Sequence, residues 1–290
     1  MRLVTFLGAT GERLGALLGH DQVLDLRRAV PSAPSSMPGL VADAAALAAV
    51  RQAVAVPDPA AVLPLSAVRL CAPVPRPGKV VCIGYNYRGH QPVDDPRYPD
   101  VFVKTGNTIV GPGDAVLLPR ASDQVDYEGE LAVVIGPTAH EVDEAQALRH
   151  VAGYSVFNDV SARDWQQHGS QWVLGKSFDT FGPMGPCLVT ADEVPDPQAL
   201  TVEVAVNGEV TVRSTTEVMV FPVARIVSYL SQVMTLEPGD VIATGTPQKL
   251  PETLARGERY LRAGDEVAVT IGHLGTLMNP VADSPARAHR

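Results

Sequence analysis

The chain has 290 residues, enough for about two domains at roughly 150 residues each. Its 46% hydrophobic content excludes disordered and collagen-like classes, and a formal net charge of −9 argues against a nucleic-acid partner. With 25 glycines and 25 prolines against 5% aromatics, short strands and turns are favoured over long helices.

In chain order, Arg2 to Leu7, Gly15 to Leu18 and Gln22 to Leu26 read as strands, and Ala-rich Val41 to Val54 as a helix stopped by Val56-Pro57-Asp58-Pro59. The Pro-rich stretch Ala72 to Gly78 marks a boundary between a small N-terminal α+β domain, 1–72, and a larger domain, 78–283. Beyond it the signals are mostly β. Val80 to Gly84, Leu131 to Ile135, Tyr154 to Asn158, Thr201 to Asn207, Val241 to Thr244 and Glu266 to Ile271 are short β-branched runs. Strands after Gly113-Asp114, Gly239-Asp240 and Gly264-Asp265 share one turn signature. Helices are expected at Glu144 to His150, Ala162 to Gln167 and Val223 to Met234, the last with Ile226, Leu230 and Val233 on one face. The fold class is mainly β with short helices.

Cys71, Cys82 and Cys187 form no C-x-x-C and read as reduced thiols. No apolar run approaches the roughly 18 residues a bilayer crossing needs, and Met1 to His20 lacks the pattern of a signal peptide. A cytoplasmic protein is expected.

Chemistry concentrates in a few segments. In Asp126-Tyr127-Glu128-Gly129-Glu130-Leu131, strand geometry points Glu128 and Glu130 to one face, with Leu131, Val133 and Ile135 facing the core. Asp159 follows an apolar strand, where side chains project into clefts. Three convergent carboxylates suit a hard divalent cation. The residues alone leave open that the glutamates are solvated and that Asp159 caps a helix. His90 follows a strand–loop junction, and Lys176 and Thr246 lie beside small residues.

Together these segments resemble one family. Asn86-Tyr87-Arg88-x-His90, Asp126-Tyr127-Glu128-x-Glu130-Leu131, Asn158-Asp159-Val160-Ser161-Ala162-Arg163-Asp164, Gly175-Lys176-Ser177-Phe178-Asp179 and Pro238-Gly239-Asp240-Val241-Ile242-x-Thr244-Gly245-Thr246-Pro247 occur in the order and spacing of the fumarylacetoacetate hydrolase superfamily. The resemblance runs from about residue 78 to 281 and implies a mixed β-sandwich roll and a homodimer.

It further implies that Glu128, Glu130 and Asp159 bind Mg²⁺ or Mn²⁺ and that Lys176 and His90 are catalytic, His90 as general base on a lid. Lys104, Gln166 and Thr246 match substrate-side positions, and Tyr85, Asn86 and Arg163 from the same motifs join them as substrate-binding candidates. Val93 stands where family members that hydrolyse acylpyruvates carry a Glu, and Lys249 where a Gly is frequent. The expected function is metal-dependent C–C hydrolysis of a small β-diketo or acylpyruvate-type acid through an enolate. Tautomerase, isomerase or decarboxylase action on an α-keto or 2-hydroxy-dienoic acid is the alternative, and an inactive metal- or ligand-binding dimer the one outside catalysis.

Overall fold

In the computed structural model, which describes residues 1–9, 11–89, 95–257 and 259–285, Arg2–Gly8 folds back on Gly11–Leu18 as a hairpin. Gln22–Asp25 and Val62–Pro64 extend it. Arg2–Gly8 also pairs with Gly182–Thr190, Leu3 opposite Leu188. The sheet then continues through Val151–Asn158, Gly129–Ile135, Val241–Ala243, Val80–Gly84 and Asp100–Lys104. One mixed sheet of twelve strands among the described residues therefore runs across the 72–78 stretch. That stretch is itself packed: Ala72, Pro73 and Val74 are buried, and the Thr5 hydroxyl donates to the Pro73 carbonyl at 2.8 Å.

A second sheet, in the order Glu209–Thr215, Thr201–Val206, Glu266–Ile271, Gly275–Asp283 and Val116–Leu118, covers one face of the first. Val202, Val204, Val267 and Val269 pack there with Leu131, Val133 and Val156. The other face is covered by the N-terminal helices, whose Met37, Leu40, Val41 and Val50 share a core with Ala132, Val134, Phe157 and Val241. The fold is thus mainly β with short helices, as expected.

Three local expectations change. The strand Gly129–Ile135 is buried along its whole length, because both faces of the large sheet carry a layer; Leu131, Val133 and Ile135 do not line its sole core face. The Val41–Val54 helix is two helices, Met37–Ala42 and Ala44–Ala55. Asp43 ends the first in an extended conformation and caps the second, accepting from the Ala45 and Ala46 N–H groups. The Val223 helix stops at Ser231, so Ile226 and Leu230 are buried while Val233 is 73% exposed. The long strand Gly182–Thr190 has no sequence signal, since its glycines and prolines read as turn residues.

The Gly-Asp signature holds in atomic detail. Gly113, Gly239 and Gly264 have φ of +76°, +84° and +93°, the left-handed region that glycine tolerates. Asp114, Asp240 and Asp265 each accept from the backbone N–H three residues earlier, at 2.8, 2.7 and 2.8 Å.

Candidate active site

Antiparallel pairing of Gly129 with Asn158 sets Glu128 beside Asp159, and the Asp159 N–H donates to the Glu128 carbonyl at 2.8 Å. Gly129 separates the glutamates because a Cβ there would lie 2.5 Å from Val204 and 2.8 Å from Val269 of the covering sheet. Glu128, Glu130 and Asp159 are all buried, with ligand oxygens within 4.8 Å of one another. The Gly245 N–H donates to Glu130 Oε2 at 2.8 Å, and Gly245 itself takes φ +96°.

Cations interleave with these carboxylates. Lys104 Nζ lies 2.6 Å from Asp159 Oδ1, and Lys176 Nζ bridges Asp159 Oδ2 at 2.9 Å and Glu128 Oε2 at 2.6 Å. Arg163 Nη1 reaches Glu128 Oε1 at 2.6 Å, while its Nε and Nη2 donate to Asp126 Oδ2 at 3.1 and 2.9 Å. Lys249 Nζ closes the row on Asp126 Oδ1 at 2.6 Å and lies 4.5 Å above the Tyr127 ring. Charges alternate from Lys104 to Lys249 along seven side chains.

Glu130 stands outside that row. Burial, then the charges of Asp159 and Glu128, push its carboxyl well above the usual range. Burial acts on Glu128 in the same sense, but Lys176 and Arg163 overcome it and hold Glu128 well below. Burial would also lower Lys176, yet Asp159 and Glu128 raise it. Lys104 is lowered, burial again leading, with Lys176 adding to it against the pull of Asp159. The hard oxygen donors and the repulsion at Glu130 fit Mg²⁺ or Mn²⁺, whose two positive charges would remove it.

The site opens into a cavity of about 920 Å³. Glu128, Glu130, Lys176, Arg163, Gln166, Thr246 and Tyr85 line it. Gln166 accepts from Arg163 Nη1 at 3.1 Å, and Tyr85 stacks edge-on against Trp172. Two substrate-binding expectations move. Asn86 is fully buried, spending its amide on the Phe221 and Thr244 carbonyls and the Phe221 N–H, so it ties loops together behind the wall. Lys104 is buried behind Asp159 and also donates to the Val160 carbonyl, so it positions Asp159 and does not face the cavity. His90 and Val93 lie outside the described residues.

Asp126, Lys249 and Trp172 were not among the expected site residues, although all three line the cavity. Asp126 was legible as the first residue of the acidic motif. Trp172 fits because Gly84 has no side chain; a Cβ there would meet its ring at 2.4 Å.

A fumarylacetoacetate hydrolase C-terminal family profile matches residues 79–282. The mitochondrial oxaloacetate tautomerase FAHD2A of Bos taurus is 45% identical over 97% of this chain and 91% of its own length. Among solved structures, the 5-carboxymethyl-2-hydroxymuconate delta-isomerase of Mycobacterium smegmatis superposes with a TM-score of 0.79 at 34% identity, covering 98% of this chain and 100% of that one. The maleylpyruvate hydrolase of Sphingobium sp. SYK-6, in complex with manganese(II) and pyruvate, gives 0.80 at 32% identity over 98% and 100%.

Proposed function

The chain is an enzyme of the fumarylacetoacetate hydrolase family, and from that premise we propose that it converts the keto and enol forms of a small 2-oxo acid with a bound divalent cation. The observation that carries this reading is the buried Glu128, Glu130 and Asp159 cluster, with Lys176 beside it on the cavity wall. Carbon–carbon hydrolysis shares the same enolate chemistry and is the second reading, supported by the likeness to a maleylpyruvate hydrolase. Tautomerisation takes first place for two reasons. It needs no activated water, and the tautomerase relative is 45% identical against 32% for the hydrolase.

When bound, the metal supplies Lewis acidity toward the substrate's carboxylate and keto oxygens. The protein's own groups do the rest. Glu128, Glu130 and Asp159 supply the oxygens that hold the ion. The Lys176 ammonium donates toward the oxygen on which charge develops, in a setting where the low dielectric strengthens the contact. Arg163, held on Glu128 and Asp126, and Gln166 beside it orient the substrate carboxylate. Trp172, Tyr85 and Phe102 keep one wall apolar. His90 is the proposed base that carries the proton between oxygen and carbon.

The test follows enol absorbance of freshly dissolved oxaloacetate with Mg²⁺ or Mn²⁺, beside pyruvate release from acylpyruvates. Accelerated loss of enol without pyruvate release supports the first reading; pyruvate release at the faster rate replaces it with hydrolysis. No helix among the described residues is long and apolar enough to cross a membrane. The cattle relative's name places that protein in mitochondria, so the cytoplasmic expectation is not carried forward; the homodimer remains part of the proposal.

A further inference from the structure

The row of alternating charges has two ends of different character. Lys104 ends it in the interior, with a fully buried side chain. Lys249 ends it on the cavity wall, with its side chain 22% exposed. Every carboxylate in the row has a cation on each side; among the described residues each end lysine has one acidic partner, and Lys249 shares Asp126 with Arg163. Lys249 is also held from both sides along the chain. The segment carrying it is pinned at one end by the Gly245 N–H on Glu130 and at the other by the Leu250 N–H on the Thr211 carbonyl. The Tyr127 ring beneath Nζ fixes its direction. From the three clustered carboxylates outward, the order is Glu128, Arg163, Asp126, Lys249. A substrate whose 2-oxo acid end sits at the carboxylate cluster therefore extends past Arg163 toward Lys249. The charge count agrees. Asp126, Glu128, Glu130 and Asp159 are matched in number by Lys104, Lys176, Arg163 and Lys249. A divalent ion would then leave two positive charges, which a dianion cancels.

We propose that Lys249 selects substrates with a second carboxylate, receiving that group at the outer end of the cavity. The inference rests on the keto–enol reading above and names its substrate class, a 2-oxo dicarboxylate. Removing Lys249 leaves Asp126 paired with Arg163, so the variant keeps its fold, which near-ultraviolet circular dichroism checks.

The experiment compares wild type, Lys249→Met and Lys249→Arg on enol oxaloacetate and on its 4-methyl ester, which has one charge fewer on the same skeleton. Binding of malate and of lactate, two unreactive 2-hydroxy acids, is measured by calorimetry on the Mg²⁺-loaded protein. Wild type is expected to prefer oxaloacetate over the ester and malate over lactate. In Lys249→Met both ratios should fall about tenfold or more, the loss of one charge-assisted hydrogen bond, mainly through KM, and Lys249→Arg should restore most of them. Equal losses for the doubly and the singly charged partners, or a wild type that does not discriminate between them, overturn the proposal. If wild type converts neither enol, the keto–enol reading falls, and the malate-to-lactate ratio still decides the role of Lys249.

Discussion

At the residue scale, the three carboxylates are not equivalent. From sequence alone, removing any one of them relieves repulsion in a cluster of like charges. The structure separates them by partner. Asp159 holds Lys104 and Lys176, and Glu128 holds Lys176 and Arg163, whereas Glu130 has a backbone N–H and, among the described residues, no ion-pair partner. Asp159→Ala leaves two buried ammonium groups short of a counter-charge, a defect of about 3–5 kcal/mol. Glu130→Gln keeps an acceptor for the Gly245 N–H and removes a strained charge. Thermal melts without metal should therefore fall steeply for Asp159→Ala and hold or rise for Glu130→Gln. The rise in Tm on adding Mn²⁺ should be lost in both. An Asp159→Ala melt equal to wild type would mean the ion pairs carry no weight. Strand periodicity and a junction marked the acidic residues as candidates, and the family resemblance implied that the three form one site. Their pairing with lysines 17 to 55 positions away was not legible, because sequence spacing carries no information on contacts that only the tertiary fold creates. Lys176 arrives on a helix, and Lys104 on a strand not paired with the one that leads into Asp159.

At the element scale, short and β-branched runs announced themselves, while elements made by context did not. The helix break at Asp43 follows from a side chain that caps better than it propagates, a preference hidden inside an alanine-rich window. The strand Gly182–Thr190 is held by neighbours on both sides in spite of its composition. Beside that strand's end, the Ala44–Ala55 helix clamps the turn Ala191–Glu193 through Arg51 and Asp192, Nη1 to Oδ2 at 2.7 Å. The Arg51 hydrogen bond, opposed in part by burial, lowers the Asp192 carboxyl to about 2. A carboxyl lowered on folding stabilises above its unfolded pKa of about 3.9, and that contribution is lost as pH falls toward 2. Both side chains are about half exposed, so solvent screening keeps the pair below about 1 kcal/mol. Arg51→Ala should lower the urea midpoint slightly at neutral pH, with the difference from wild type shrinking as pH drops below about 4. A difference that stays constant across that range would assign the loss to packing of the arginine stem.

At the scale of the whole molecule, the large sheet needs a cover on each face, and the N-terminal 72 residues supply one of them. The Arg2–Gly8 strand closes an edge that Gly182–Thr190 would otherwise present, and the helices beyond it bury Val80, Val134, Phe157, Leu188 and Val241. At roughly 1.5–3 kcal/mol for each such side chain, exposing these five costs on the order of 8–15 kcal/mol. That matches the entire stability of an ordinary domain, about 5–15 kcal/mol. Val134 and Val241 belong to the strands that carry Glu130 and lead into Thr246, so the cover also holds the site in register. Deleting residues 1–72 is expected to leave a chain that binds a hydrophobic dye, gives no cooperative thermal transition and gains no stability from Mn²⁺. Adding back a separate 1–76 fragment should restore the transition in part, because the contacts are a paired strand edge and an apolar face. If the shortened chain instead melts cooperatively and responds to Mn²⁺ as the full chain does, the helical layer is an accessory, and the five-stranded sheet alone sustains the fold and its carboxylates.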